Sequence, residues 1–240
     1  MHILITRPEP DASEWRTQLI ARGASVSLDP LLQIYLLPPP SADLTQYQAL
    51  IATSRNALRA LSNSPLAAKA IALPIFTVGP GTTQLARDLG FKTIHEGPAS
   101  ARDLVPLIAR LADPIGGPLL HLCGDKIAFD LATALNPHGI TVDRLIVYRS
   151  RPAAKLHPHT IEALADGVID TVMLLSPLSA KTFVKLAQQA NLNEQCQRLV
   201  YVCLSHNVSE ALAPLSPSRL HIASEPNSQA VFSLVETLLA

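Results

Sequence analysis

Small polar residues recur in this sequence directly after short apolar runs. Hydroxyl, amide, glycine and arginine residues follow six of these runs, at Thr6-Arg7, Thr53–Asn56, Gly79–Thr82, Gly124-Asp125, Ser176–Ser179 and Ser205–Asn207. If each run is a strand followed by a helix, these residues lie where helix N-termini present N–H groups and the positive end of the helix dipole. Such positions bind carboxylates and phosphates, so the chemistry that this spacing indicates is anion binding.

Each of these residues also has a simpler role, which is to cap the helix that follows. Serine, threonine and asparagine side chains accept hydrogen bonds from the first N–H groups of a helix, and at a single position this is the more common role. Asp125 is likewise expected to cap the next helix. The series as a whole indicates more, because ligands of parallel α/β sheets bind beyond the carboxyl ends of the strands. Two such sheets facing one cleft would provide several sites for anions.

The glycine turn in VGPGTTQLARDLG, residues 78–90, bears on whether the anion is a nucleotide. A dinucleotide-binding loop requires the pattern G-x-G-x-x-G, but Gln84 stands at the third glycine position. The Gly-Lys-Ser/Thr ending of a Walker A loop is also absent. The turn therefore favours an acidic group such as a carboxylate over a nucleotide.

Composition restricts the ligand classes further. Lysine plus arginine and aspartate plus glutamate both number 19, so the chain is neutral and no nucleic-acid-binding face is expected. The eight histidines are scattered without a cluster of cysteines or carboxylates, which argues against a metal site. An anion must therefore be held locally, by main-chain N–H groups and a few side chains.

The sequence also predicts the compartment. No run of about 18 apolar residues is present, so no membrane span is expected. The start MHILITRPEP lacks the basic residues and long apolar stretch of a signal peptide. Cys123, Cys196 and Cys203 have no CxxC spacing, and two lie in strand-like runs, which indicates buried thiols in a reducing environment. The expectation is a cytoplasmic protein.

Short apolar runs alternate with amphipathic stretches along the whole chain. The runs that predict buried strands are HILIT, QALIAT, LPIFTV, KTIHEG, PLLHLC, RLIVYR, DTVMLL, RLVYVCL and RLHIA. Asp11 with Glu14 resembles a capping box that opens a helix closed by Gly23, and Asn227 is the predicted cap of the last helix. This alternation predicts an α/β fold of parallel sheets covered by helices on both faces.

Two proline-rich stretches, residues 36–44 and 150–159, interrupt this rhythm and are predicted linkers. Too few strands lie outside them to form a sheet at either end alone, so the economical arrangement is one domain inserted in another. The predicted first domain is discontinuous, covering 1–35 and 150–240, and the inserted domain covers 38–147. Linkers are expected near 31–40 and 144–155, where QIYLL and LIVYR would pair as a two-stranded connector.

Several of these segments together resemble the uroporphyrinogen-III synthase family. The resemblance runs in order through Thr6-Arg7-Pro8, ATSRNAL at 52–58, VGPGTTQLARDLG at 78–90, LLHLCGD at 119–125, VYRS at 147–150 and LLSPLSAKTF at 174–183. It covers nearly the whole chain. The chain departs from the family pattern at the last turn, where Leu204–Asn207 stands in place of a second GPGT-like turn.

The resemblance implies two flavodoxin-like α/β domains joined by a two-stranded linker, with the active cleft between them. It implies that hydroxymethylbilane, a linear tetrapyrrole, is closed to uroporphyrinogen III with inversion of ring D and loss of water, without a cofactor or metal. It implies a monomer, with neither nucleic acid nor membrane as a partner. A transient contact with the enzyme that makes hydroxymethylbilane is a further expectation.

Tyr148 matches the tyrosine of the family and is the predicted catalytic residue, as a general acid toward the leaving hydroxyl. An equally weighted alternative is that Tyr148 anchors the hinge. Arg7 and Arg55 are predicted to clamp carboxylates, with a plain surface charge as the alternative. The complete predicted substrate-binding set is Thr6, Arg7, Ser54, Arg55, Asn56, Gly81, Thr82, Ser100, Gly124, Ser176, Ser179, Ser205 and Asn207.

Two other functions remain open from the sequence alone. A two-lobed module that binds a small acidic ligand without catalysis would use the same cleft and anion sites. A nucleotide-binding transferase is a third alternative. The position of Tyr148 and the nearly complete series of motifs favour the enzyme.

Overall fold

The computed structural model describes residues 1–38, 43–98 and 100–239, and the chain divides into two compact units. The first unit comprises Met1–Gln33 and Arg151–Ala240, and the inserted unit comprises Ile34–Ser150. Part of the proline-rich stretch predicted as the first linker, residues 39–42, lies outside the described residues.

The strands of the described residues are, in chain order, β1 (His2–Ile5), β2 (Ser25–Leu28), β3 (Leu32–Leu36), β4 (Ala49–Ala52), β5 (Ile75–Val78), β6 (Ile94–Gly97), β7 (Leu119–Gly124), β8 (Val142–Pro152), β9 (Thr171–Leu174), β10 (Val200–Cys203) and β11 (Arg219–Ile222). The helices are α1 (Asp11–Ile20), α2 (Arg55–Ser62), α3 (Ala67–Ala70), α4 (Gly79–Asp88), α5 (Leu104–Leu111), α6 (Leu131–Leu135), α7 (Pro158–Ala165), α8 (Pro177–Gln189), α9 (Asn193–Arg198), α10 (His206–Glu210) and α11 (Ser228–Leu239). All nine predicted strands are confirmed.

The first unit is built on a parallel sheet of order β11-β10-β9-β1-β2. Numbered within the unit, this is the flavodoxin order, 2-1-3-4-5. Side chains alternate between two hydrophobic cores: Leu4 of β1 packs with Phe183 and Tyr201, whereas Ile3 packs with Trp15 on the opposite face. The strands are therefore apolar at almost every position, because both faces of the sheet are covered.

The inserted unit is built on a sheet of order β3-β8-β7-β4-β5-β6, in which β4 to β8 are parallel. Leu50 and Leu120 face one core, and Ile51 and Leu119 face the other. Counted from β4, the parallel strands follow the order 3-2-1-4-5, the other common doubly wound arrangement. The predicted α/β class with two parallel sheets is confirmed.

The chain enters the inserted unit within β3 and leaves it within β8, and these strands are hydrogen-bonded neighbours. The N–H of Leu37 donates to the carbonyl of Val147, and the N–H of Ala153 donates to that of Leu31, both at 2.9 Å. Residue numbers thus rise along one strand as they fall along the other, so the pair is antiparallel. The predicted two-stranded connector is confirmed.

The predicted capping box at the first helix is wrong. Asp11 is the first residue of α1, and its carboxylate accepts a hydrogen bond from Arg7 at 2.9 Å. The carboxylate of Glu9 instead accepts from the N–H of Ser13 at 3.1 Å. The N–H of Ser13, in the first turn of α1, is thus bonded by Glu9, which lies before the helix. At α11 the prediction is confirmed, since Asn227 accepts from the N–H of Ala230 at 2.9 Å.

The three cysteines are buried and none forms a disulfide, as predicted. Burial raises the pKa of the Cys196 thiol to about 11 and that of Cys203 to about 12. These thiols stay protonated near neutral pH and act as small apolar side chains. Across residues 1–38, 43–98 and 100–239, every helix is too short or too polar to span a bilayer.

Candidate functional site

Each sheet has one point at which the strand order reverses, and most of the predicted site residues follow the strands there. In the first unit this point lies between β1 and β9, which are followed by Thr6-Arg7 and by Ser176–Ser179. In the inserted unit it lies between β4 and β7, which are followed by Thr53–Asn56 and by Asp125. Ligands of open α/β sheets bind beyond the strand ends at such a switch point.

At the switch point of the first unit, Thr6 and Arg7 have structural partners. The buried hydroxyl of Thr6, 1% exposed, donates to the carbonyl of Met173 at 2.8 Å and so fastens β1 to β9. The guanidinium of Arg7 pairs with Asp11 and lies 4.8 Å from the ring centre of Trp15. The cation is therefore oriented by α1, which fixes it at the end of β1.

Ser176 and Ser179 form a hydroxyl pair at the start of α8. The Ser176 hydroxyl accepts from the N–H of Ser179 at 3.1 Å, and the two side-chain oxygens are 2.8 Å apart. Pro177 occupies the first turn, where its missing N–H costs nothing. Two hydroxyls and the N–H groups of a 13-residue helix thus meet at one strand end, an arrangement that can bind a carboxylate.

Ser205 and Asn207 follow β10, one strand away from the switch point. Ser205 precedes α10 in extended conformation without a side-chain cap hydrogen bond, and Asn207 is exposed. These two residues therefore follow the strand next to β9, not β1 or β9 themselves.

In the inserted unit, Ser54 and Arg55 begin α2 directly after β4. The Ser54 side chain caps the helix by accepting from the N–H of Asn56 at 3.2 Å. The Arg55 side chain lies along Gly81: a Cβ atom added at Gly81 would be 3.8 Å from Arg55 Nε. The structure thus brings a guanidinium to the glycine turn after β5. Asn56 Oδ1 accepts from Arg59 at 3.0 Å.

Two buried threonines, Thr77 and Thr83, stabilise the glycine turn. Gly79 has φ of +70°, a conformation that favours glycine, and its carbonyl accepts from the Thr83 hydroxyl at 3.0 Å. Thr77 and Thr83 hydroxyls are 2.7 Å apart, and Thr82 is itself buried. The first turn of α4 is therefore held rigidly beside Arg55, with its N–H groups at the strand end.

Tyr148 lies beside Gly124 because β8 contains an irregularity. Cys123 of β7 pairs with Ile146 of β8, and the next residue, Gly124, pairs with Tyr148. Val147 of β8 therefore has no residue opposite it in β7. Such a bulge turns the strand and re-aims a side chain. The Tyr148 ring consequently lies against Gly124, where a Cβ atom would meet two ring carbons at 2.9 Å.

The phenol of Tyr148 stays protonated in this environment. Burial raises its pKa, a hydrogen bond from the Ser54 side chain opposes that shift, and the negative charge of Asp125 adds to it. The side chain is only partly buried. Tyr148, Ser54 and Gly124 therefore form one cluster at the switch point of the inserted unit, with a proton donor at its centre.

Two sequence predictions for the inserted unit differ from the structure: the helix cap assigned to Asp125 and the position of Ser100. The prediction that Asp125 caps the following helix is wrong, because Asp130 caps α6 by accepting from the N–H groups of Ala132 and Thr133 at 3.1 and 3.3 Å. Ser100 follows β6, two strands from the switch point, and its N–H and hydroxyl both donate to Asp103 at 2.8 and 2.7 Å.

Sequence reasoning missed His121, which lies within β7 and is 2% exposed. Its Nε2 lies 3.5 Å from the hydroxyl of Thr53, the residue before Ser54. Burial, with the nearby charge of Arg144, lowers the pKa of His121 to about 4, so the ring is neutral. The only signal in the sequence was a single polar residue inside the apolar run LLHLC.

Within the described part of the chain, no group of three or more histidine, cysteine, aspartate or glutamate side chains is arranged to hold a metal ion. The polar groups at the two switch points include hydroxyls, arginines and N–H groups, which can bind anions, together with the carboxylates of Asp11 and Asp125.

Two doubly wound units, each with hydroxyl and arginine side chains at its switch point, define a two-domain α/β protein. A protein-family model described as uroporphyrinogen-III synthase HemD matches residues 13–233. The chain therefore belongs to the uroporphyrinogen-III synthase family, the lyases of tetrapyrrole and haem biosynthesis.

Solved structures give the same fold. The chain is similar to the uroporphyrinogen-III synthetase of Helicobacter pylori, with a TM-score of 0.66, 22% identity and 99% of each chain covered. It is also similar to a mutant uroporphyrinogen III synthase of Thermus thermophilus, with a TM-score of 0.61, 17% identity, and 100% and 98% of the two chains covered. A comparison with curated proteins finds no match.

Proposed function

We propose that this protein closes hydroxymethylbilane to uroporphyrinogen III, with inversion of ring D, loss of water and no cofactor. Family membership supports the reaction class. The observation that carries the proposal is the Tyr148 cluster, in which a protonated phenol lies at the switch point beside Ser54 and Gly124.

The substrate is a flexible chain of four pyrroles that bears acetate and propionate groups. Its carboxylates match the groups at the switch points, which are Arg55 with the Gly81-Thr82 turn in one unit and the Ser176-Ser179 hydroxyl pair in the other. Hydrogen bonds from N–H groups and arginine to carboxylates are charge-assisted and therefore strong. The family resemblance implies that the substrate lies between two domains, and in this proposal both sets of donors bind its carboxylates.

Tyr148 acts in this proposal as the general acid. The phenol donates its proton to the hydroxyl of the terminal hydroxymethyl group as the carbon–oxygen bond breaks, and water leaves. The remaining cationic azafulvene is attacked by ring D, and ring inversion proceeds through a spiro intermediate. Because the pKa of Tyr148 lies above the ordinary phenol value of 10, the side chain carries its proton at neutral pH before this step.

In this proposal the enzyme selects the product isomer by holding the substrate in one conformation. Free hydroxymethylbilane closes by itself to the isomer without inversion, so the enzyme must hold one fold of the chain and exclude the other. Binding the carboxylates at fixed points restricts the substrate to a reactive conformation, which is a large source of rate enhancement. The neutral charge of the protein suits this role, because the donors act over short distances.

The test is an isomer assay. Purified protein is mixed with freshly made hydroxymethylbilane, and the products are oxidised to porphyrins and separated. We expect the type III isomer in excess over a buffer control. Type I alone, as in buffer, would refute the proposal; if the substrate then still bound, the non-catalytic binding module would replace it.

A further inference from the structure

We infer that the Gly124-Asp125 turn positions Tyr148: Gly124 leaves the space that the Tyr148 ring occupies, and Asp125 holds the main chain directly after Tyr148, on both sides of Arg149. The catalytic consequence of this inference rests on the proposed function, whereas the positioning itself does not.

The contact at Gly124 is a steric one. A Cβ atom at this position would lie 2.9 Å from two ring carbons of Tyr148 and 3.1 Å from its hydroxyl. Side-chain carbons do not approach other atoms this closely, so any larger residue must displace the ring. The φ angle of Gly124 is not positive, which means that its conformation alone does not require glycine. The need for glycine here comes from Tyr148.

Asp125 holds β8 at the point where its ladder is irregular. The main-chain N–H of Asp125 donates to the carbonyl of Tyr148 at 3.1 Å. Its carboxylate accepts from the N–H of Ser150 at 3.4 Å and from that of Lys126 at 3.1 Å. A bulge disrupts the regular pairing of a strand, and Asp125 replaces that pairing with bonds on both sides of Arg149. Asp125 is therefore a positioning residue that acts through the main chain.

The charge of Asp125 has a second effect. A carboxylate close to a phenol disfavours the phenolate, so it helps burial to keep Tyr148 protonated. The same residue thus fixes the position of the proton donor and preserves its proton.

The test compares Asp125→Ala, Asp125→Asn and Gly124→Ala, with Asp113→Asn as the matched control. Asp113 is an exposed turn carboxylate of the same unit that accepts from the N–H of Ile115 at 3.0 Å. The first readout is the ultraviolet titration of the Tyr148 phenol, taken as the difference between each variant and its Tyr148→Phe counterpart. The second readout is kcat, KM and the ratio of type III to type I product.

Both Asp125 variants lose the negative charge, so their Tyr148 phenol should ionise at lower pH than in the wild type. Asp125→Ala also loses the acceptor for Ser150, and we expect kcat to fall about tenfold, the effect of one charge-assisted hydrogen bond, with KM little changed. Asp125→Asn keeps an acceptor oxygen and should retain most of kcat. Gly124→Ala should shift the products toward type I, and Asp113→Asn should resemble the wild type.

An unchanged phenol titration in both Asp125 variants, or equal effects from Asp113→Asn, would overturn the inference. Wild-type kinetics in both Asp125→Ala and Gly124→Ala would also overturn it. If Gly124→Ala does not fold, the two Asp125 variants decide the question. If the wild type makes only type I product, the proposed function fails, and the titration still tests whether Asp125 lies close enough to Tyr148 to act on its phenol.

Discussion

Tyr148 owes its two useful properties, a fixed ring and a protonated phenol, to residues that surround it. Gly124 leaves room for the ring, and the Ser54 side chain hydrogen-bonds the phenol. Burial and the charge of Asp125 raise the phenol pKa. If the hydroxyl is the proton donor, its removal should affect the chemical step far more than substrate binding.

Replacing Tyr148 by phenylalanine should therefore lower kcat by about a hundredfold, the usual minimum for a general acid, with little change in KM. Steady-state assays with separation of the two isomers provide the measurement. Tyr47→Phe is the control, since Tyr47 donates to Asp143 at 3.1 Å in the same unit and has no proposed role. A wild-type rate and isomer ratio in Tyr148→Phe would end the catalytic assignment and leave Tyr148 as a hinge anchor.

His121 should make stability depend on pH. Its pKa is about 4 in the folded protein, below its ordinary value of 6.5, so between these values the unfolded chain binds a proton that the folded chain does not. The free energy of unfolding therefore falls as pH drops from 6.5 to 4, by up to about 3 kcal/mol, and this contribution is fully present above pH 6.5.

Urea unfolding of His121→Gln and the wild type at several pH values measures this contribution of His121 to the free energy of unfolding. The variant should lack this pH-dependent loss, so the wild type should lose stability relative to the variant as the solution is acidified from pH 6.5 to 4. His138→Gln, at an exposed position of the same unit, should keep the wild-type slope. Parallel curves for His121→Gln and the wild type would show that the ring does not carry the effect.

At the scale of the elements, the sequence predicted two helix caps correctly, at serines that stand two residues after a strand, whereas Ser205 at the same spacing forms no side-chain cap. Ser54 and Ser176 follow their strands closely and cap the next helix. Asp11 and Asp125 were assigned as caps from residue type and are not. Each carboxylate has a different partner, the Arg7 side chain and the Ser150 N–H. The Ser150 contact is 25 residues away in sequence and depends on tertiary structure.

The cap of the last helix gives a prediction at this scale. Asn227→Ala should lower the free energy of unfolding by about 1 kcal/mol, because the N–H of Ala230 loses its acceptor at the start of α11. Asn227→Asp should retain most of the stability, since aspartate is an equally good cap. Chemical denaturation measures both variants, and the isomer assay should give wild-type product ratios for each. Equal stability of Asn227→Ala and the wild type would contradict the prediction.

For the whole molecule, the number of sheets, their parallel strands and the insertion were accessible from sequence, because strands buried on both faces are apolar throughout. The strand order of the inserted unit was not accessible. Arg55 reaches Gly81 because β4 and β5 are neighbours, and Tyr148 reaches Gly124 because of the bulge in β8. Both contacts depend on which strands pair and in what register, and local residue patterns do not encode this.

The inserted unit should fold by itself. Residues 34–150 contain two hydrophobic cores of their own, and the unit begins and ends on the neighbouring strands β3 and β8. We expect this fragment to show cooperative thermal unfolding by circular dichroism and to form no type III product. A fragment ending at residue 141 lacks β8, including the fully buried Val147, and should not fold. An unfolded 34–150 fragment would contradict the prediction.

The placement of β1 between β2 and β9 affects how the chain is synthesised. Thr6 bonds to the carbonyl of Met173, 167 positions further along, so β1 emerges from the ribosome long before its neighbour β9 exists. At ordinary translation rates the delay is about 10–30 s. All of the inserted unit is made within that interval. The nascent chain should therefore complete its inserted unit first, while the apolar strand β1 has β2 as a neighbour but lacks β9, and its open edge is exposed to chaperones.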